Sequence, residues 1–146
     1  MLNEVHYQTV LKFFFFLLPD EDEALNFSSK VIKQINSHHK RNQNIKIDLI
    51  ILNGLWEIYN RYQNRILQLI NIESRHPWQP LQSDRAAAWR NYLKDSEPEV
   101  RAILVFRYIL GYSPEFISEA LNIPCGTVLY RMGRGLESVA GKLKSI

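Results

Sequence analysis

Sixteen residues, Ser113 to Val128, constrain this chain more than any other stretch. Pro114 suits the first turn of a helix, where its missing N–H costs nothing, and Ser113 ahead of it can cap. Ile117, Ala120 and Leu121 then give a short helix its inner face. Asn122 falls where the chain must bend sharply, and asparagine is the non-glycine residue most at ease at positive φ. Ile123 is expected to plug the corner, and Pro124 opens another helix. Two helices joined by so short a turn are a helix-turn-helix.

The helix that starts at Pro124 or Cys125 and runs to about Lys144 carries Val128, Met132, Leu136, Val139, Leu143 and Ile146 at three- and four-residue steps. At 100° per residue these form one stripe about 80° wide, the face expected to pack. Thr127, Tyr130, Arg131, Arg134 and Ser138 lie on the far side, with Lys142 at its edge. Two guanidinium groups, a phenol and hydroxyls on one face suit base edges and phosphates of duplex DNA. An amphipathic helix with a solvated basic face would show the same spacing; the preceding short helix and turn favour DNA.

Nearly every other segment also reads as helix, so the fold class expected is all-α. Glu4–Leu18 is apolar almost all round and should be buried on most sides, its phenylalanines in the core or docking a partner chain. Pro19 stops it, and Asp20 with Glu23 gives a capping-box-like start to a second helix. That helix carries Ala24, Phe27, Val31 and Ile35 on one stripe and should dissolve into the polar run Ser37–Asn42. Ile45–Asn71 repeats Leu52, Leu55, Tyr59, Tyr62, Ile66 and Leu69 and reads as one long helix, although Ile47–Leu52 alone has strand propensity. His76-Pro77-Trp78-Gln79-Pro80 marks a linker over 74–83, dividing a domain at 1–73 from a domain at 84–146. Helices follow at about Asp84–Lys94, Pro98–Leu110 and Pro114–Leu121, the C-terminal domain thus having four.

Charge is distributed unevenly. Residues 1–80 hold nine Lys/Arg against eight Asp/Glu, and 81–119 hold five against six. From Ala120 onward Arg131, Arg134, Lys142 and Lys144 face Glu137 alone, so the terminal helix is where a polyanion would be met. One cysteine, Cys125, excludes an intrachain disulfide. Phe13–Leu18 is far short of the about 20 residues of a membrane span, and no export signal is visible, so a cytoplasmic location is expected. His38 and His39 point about 100° apart on a helix, and His6 and His76 lack a ligand pattern, so no metal is expected. No nucleophile triad, phosphate loop or cofactor motif is present. Neither catalysis nor a small-molecule substrate is expected, and Cys125 reads as a packing residue.

These residues resemble a known family. Pro98–Lys144 is similar to the promoter −35-reading domain of bacterial sigma factors, especially the small extracytoplasmic-function type. The likeness lies in Glu99–Val105, in Leu110–Ile117 and above all in Ile123-Pro124-Cys125-Gly126-Thr127-Val128-Leu129-Tyr130-Arg131-Met132-Gly133-Arg134. It implies that Thr127, Tyr130, Arg131 and Arg134, with Ser138 and Lys142 further along, face the −35 element. Ser118 and Gly135 depart from the family's usual alanines. Gly133, Gly135 and Gly141 each weaken a helix by about 1 kcal/mol, so its end is expected to fray until a partner holds it.

The N-terminal half is similar to the family's polymerase-binding and −10-reading domain in a worn form. Asp22–Ile32 resembles the clamp-binding helix, implying Asn26, Ser29 and Lys30 as polymerase contacts, with Asn26 and Ser29 replacing the family's Asp and Gln. Leu55–Arg65 resembles the −10-reading helix, implying Trp56, Asn60, Arg61, Asn64 and Arg65, with Asn64 replacing an Asp. From the residues alone, Asn60, Arg61, Asn64, Arg65 and Gln68 form a polar basic strip beside Trp56 and Tyr59. Such a strip could stack single-stranded bases, or the tyrosines could be core and the strip merely solvated.

The partners implied are double-stranded promoter DNA, core RNA polymerase and an anti-sigma factor, with no membrane. Two alternatives stay open: a stand-alone helix-turn-helix regulator, and a degenerate sigma-like module that binds proteins but no DNA.

Overall fold

A computed structural model describes residues 2–71 and 80–144, with the side chains of 80–84 and 138–144 excepted. The expected linker over 74–83 therefore lies mostly outside the described residues. Eight α-helices and one π-helical segment account for almost all of what is described, and no strand occurs there. The all-α expectation holds.

Local chemistry sets the helix starts. Asn3 and His6 form a reciprocal capping box at α1 (Glu4–Leu17), each side chain accepting the other's backbone N–H at 3.1 Å. Asp20 caps α2 (Glu21–Arg41), accepting from Glu23 N at 3.2 Å. This helix outlasts its expected end near Ser37. Its last turn holds His38, His39, Lys40 and Arg41, cations that the negative end of a helix dipole favours. The segment expected as one helix over Ile45–Asn71 is two: α3 (Ile47–Arg61) and α4 (Gln63–Asn71), parted at Tyr62. The Tyr62 ring lodges edge-on against Phe27 with Lys30 Nζ 5.3 Å from its centroid.

The expected division into separate domains 1–73 and 84–146 does not describe the core, which is continuous across both stretches. Phe13 of α1 stacks on Phe106 at 5.0 Å and meets Tyr59 of α3 edge-on at 5.9 Å. α5 (Pro80–Leu93) lies against α1, where Arg90 Nη1 donates to Phe15 O at 2.6 Å. α3 lies against α7 (Pro114–Leu121), where Asn53 Nδ2 donates to Ala120 O at 3.0 Å. The phenylalanine run is thus the joint between the halves.

The helix expected over Pro98–Leu110 changes pitch. α6 (Pro98–Leu104) gives way to a π-helical turn (Val105–Ile109), with Leu110 N donating to Val105 O at 3.0 Å. Gly111 ends it at φ +81°, a left-handed position suited to glycine. A buried cation ties this region down: Arg101 is only 2% exposed and donates to the carbonyls of Leu93, Lys94 and Ser96 at 3.0, 3.2 and 2.9 Å. Its Nη1 also reaches Tyr59 Oη at 3.4 Å, and that hydroxyl donates to Pro98 O at 2.5 Å.

Candidate nucleic-acid interface

The bend between α7 and α8 (Cys125–Lys144) forms as its residues dictate. Ser113 Oγ accepts from Phe116 N at 3.1 Å, and Pro114 occupies the first turn. Asn122 is left-handed at φ 56°, ψ 48°, the one non-glycine residue with positive φ among those described. Ile123 N donates to Ser118 O at 3.2 Å, and Ser118 Oγ donates to Ile123 O at 2.6 Å. Ser118 therefore closes the turn with its backbone carbonyl and its hydroxyl, the second a bond an alanine cannot make.

α8 packs against α5, α6 and α7. Val128 is fully buried, and Gly135 brings the two backbones together: a Cβ there would sit 2.5 Å from Leu104 Cδ1. Gly135 is thus a close-approach glycine against α6. It also turns the packed face. Leu136, expected on the inward stripe, is 46% exposed, while Gly135 beside it is buried. Val139, Leu143 and Ile146 lie outside the described side chains.

The opposite face is open. Tyr130 is 64% exposed, the Arg134 side chain 52%, and Thr127 is half-buried. Arg131 stands at the margin of the packed face with 24% of its side chain exposed. Both arginines are ion-paired at the surface: Arg131 Nη2 lies 2.6 Å from Glu99 Oε2, and Arg134 Nη2 lies 3.1 Å from Glu97 Oε1. Arg134 Nη1 also donates to Tyr130 Oη at 3.3 Å, its guanidinium 5.9 Å from that ring's centroid. The Tyr130 hydroxyl first, then the Glu97 and Glu137 carboxylates, raise the Arg134 pKa above its ordinary value. Ser138 and Lys142 belong to the side chains outside the description.

The N-terminal candidates are engaged by different neighbours. Trp56 is half-buried and stacks on Tyr59 at 6.2 Å, and Tyr59 itself is core. Arg65 lies 3.8 Å from Glu23, and Asn60 accepts from Gln63. Arg61 lines a depression with Lys33, Gln34 and Arg41. Asn64 is exposed, as are Asn26 and Ser29 on α2, whereas Lys30 is drawn over the Tyr62 ring.

Glu97, Glu99 and Arg101 were not singled out from sequence. The two carboxylates pair across a tertiary contact that no local pattern announces. Arg101 did leave a signal, a lone cation inside the apolar run Val100–Phe106.

Among the described residues no helix is long and apolar enough to cross a membrane, and no group of three metal-ligating side chains occurs. No curated protein matches the chain. Residues 97–139 match the family model described as Sigma-70, region 4, which spans α6, the π-helical turn, α7 and most of α8, the elements that build and brace this face.

Proposed function

We propose that this chain is a sigma-like transcription-initiation factor of the extracytoplasmic-function kind. It lays α8 in the major groove of the −35 promoter element and binds core RNA polymerase through its N-terminal half. The observation that carries the reading is the outward face of α8. Thr127, Tyr130, Arg131 and Arg134 are presented on a helix whose other side is fixed by Val128 and Gly135. The Sigma-70, region 4 match falls on this segment. The ion pairs of Arg131 and Arg134 do not oppose it. Each carboxylate engages a single guanidinium nitrogen, so other donors stay open to phosphate or base contacts. Asn26, Ser29 and Lys30 are the polymerase contacts in this reading, and an anti-sigma factor is its natural antagonist.

Reading the −10 element as well requires the halves to part. A compact chain of 146 residues has a radius of gyration of about 15 Å and is roughly 38 Å across. Promoter elements about 17 base pairs apart are separated by roughly 58 Å at 3.4 Å per pair. One closed body cannot touch both. Contacts from Trp56, Asn60, Arg61, Asn64 and Arg65 to the −10 element would follow release of α3 from α7 and of α1 from α5.

Two experiments test the reading. Purified full-length chain should enrich one sequence from a randomised duplex library, and Arg131→Ala with Arg134→Ala should abolish the enrichment. Core polymerase supplemented with the chain should initiate run-off transcription on fragments carrying that sequence. A chain that associates with core polymerase under no salt condition refutes the sigma role. Loss of both arginines without effect on any activity refutes the DNA role.

A further inference from the structure

Both arginines are already held, Arg134 on the outward face of α8 and Arg131 at its margin. Arg134 donates to Glu97 through Nη2 and to Tyr130 through Nη1. Arg131 pairs with Glu99 through Nη2. The two carboxylates stand at the start of α6, on a turn that is itself anchored. Arg101 holds the carbonyls of Leu93, Lys94 and Ser96, and Tyr59 holds that of Pro98. The backbone that bears these acids is therefore held in place, while their side chains reach out 65% and 47% exposed.

Stabilising the fold does not account for the Arg134–Glu97 pair, because a pair exposed at both ends adds little. A guanidinium carries five N–H donors in a planar fork. Glu99 engages one nitrogen of Arg131, and Arg134 keeps its Nε free of hydrogen bonds among the described residues. Enough donors stay available for a bidentate contact to a base edge.

We infer that Glu97 and Glu99 are specificity-determining positioning residues of the duplex-reading face. Each holds a guanidinium by one edge, fixes which base pair the remaining donors can meet, and cancels much of its attraction to phosphate. The inference rests on the reading proposed above, that α8 binds duplex DNA. The physics is a contrast of range. An unpaired arginine is drawn to the nearest phosphate by a long-range force that ignores sequence. A paired one has little net charge but keeps its local donors, and a bidentate bond to guanine O6 and N7 needs only those. Pairing therefore subtracts more from sequence-independent binding than from base reading.

The test uses full-length E97Q, E99Q and the double variant, since glutamine keeps size and an acceptor but removes the charge. Two probes are needed: a duplex library randomised over about one helical turn, and a single mixed-sequence duplex. The double variant should bind the mixed-sequence duplex roughly 3- to 20-fold tighter, with a salt slope steeper by about one to two, as released arginines find phosphates. Its library enrichment should be flatter than that of the wild type. Arg134→Lys, which keeps the charge without the fork, should lose preference at the same base position as E97Q. Equal tightening on the selected and mixed duplexes would make the carboxylates simple competitors and overturn the inference, as would no change on either. A wild-type chain that binds neither probe overturns the underlying reading instead.

Discussion

Gly135→Ala separates two forces that pull in opposite directions. On helix propensity alone, alanine in place of an interior glycine stabilises α8 by about 1 kcal/mol. The packing opposes it. The new Cβ would lie 2.5 Å from Leu104 Cδ1, 2.9 Å from Cδ2 and 2.9 Å from Cγ. The nearest neighbours all belong to one side chain, but they include its branch point, so turning a terminal methyl does not relieve the clash. Leu104 is buried in the core with little room to retreat. Overpacking of this kind costs about 1–3 kcal/mol. Three contacts this short place the cost near the upper end, so the net loss should be about 1–2 kcal/mol.

A double-mutant cycle makes the prediction specific. Leu104→Ala alone should cost about 2–5 kcal/mol through the cavity it leaves. Gly135→Ala on that background should be neutral or stabilising, because its methyl enters the vacated space. The coupling should be about 1–3 kcal/mol, as expected of residues in contact. Urea unfolding gives all four stabilities, with unchanged m-values as the check that unfolding remains comparable. A Gly135→Ala single variant stabilised by about 1 kcal/mol, with no coupling to Leu104, would refute the close-approach reading. It would also remove the reason offered for the exposure of Leu136.

Other perturbations give further tests. Asn122→Gly should be tolerated within about 0.5 kcal/mol, whereas Asn122→Val should cost about 1–2 kcal/mol, because a β-branched residue resists the left-handed region; chemical denaturation reads both. Arg101→Met should cost about 3 kcal/mol or more, since three backbone carbonyls near the end of α5 lose a charged donor, and Arg101→Lys should rescue only part, having no fork to reach them together. Burial first, then the Asp48 charge, pushes the Tyr112 hydroxyl up to about 12. A folded-state pKa above the unfolded value contributes stability that is intact below about pH 10 and is lost as pH rises through 12. Tyr112→Phe should flatten urea midpoints across that window, and a phenolate absorbance titration would show whether the group behaves so.

What could be read from the sequence was what neighbours along the chain decide. Ser113, Pro114 and Asn122 each act within a few residues, and each does what its chemistry requires. The Asp20 cap is of the same kind. Errors arose where a distant partner overrides a local pattern. A helical period that runs unbroken from Leu52 to Leu69 gave no sign that Tyr62 would part it. The inward stripe of α8 was placed from hydrophobicity, yet a glycine with no hydrophobic weight sets the contact because it lets Leu104 approach. Arg131 and Arg134 were expected on one outward face, and no spacing along α8 could reveal that acids at the start of α6 would meet them.

The prolines around His76 suggested two bodies, and the phenylalanine run joins them. Phe13 stacks on Phe106, and Phe106 sits in the π-helical turn between α6 and α7. Removing α1 would strip a large aromatic from the side of the helix-turn-helix opposite its outward face. Removing α3 would leave the Arg101–Tyr59–Pro98 connection without its middle member. That connection anchors the turn bearing Glu97 and Glu99, so in the closed chain the orientation of the two arginines depends on the N-terminal half although it supplies neither of them. A fragment of residues 84–146 should therefore keep its local turn but present its arginines less well than the whole chain. Its weaker discrimination among duplexes, at similar helicity, would measure what the shared core contributes to reading.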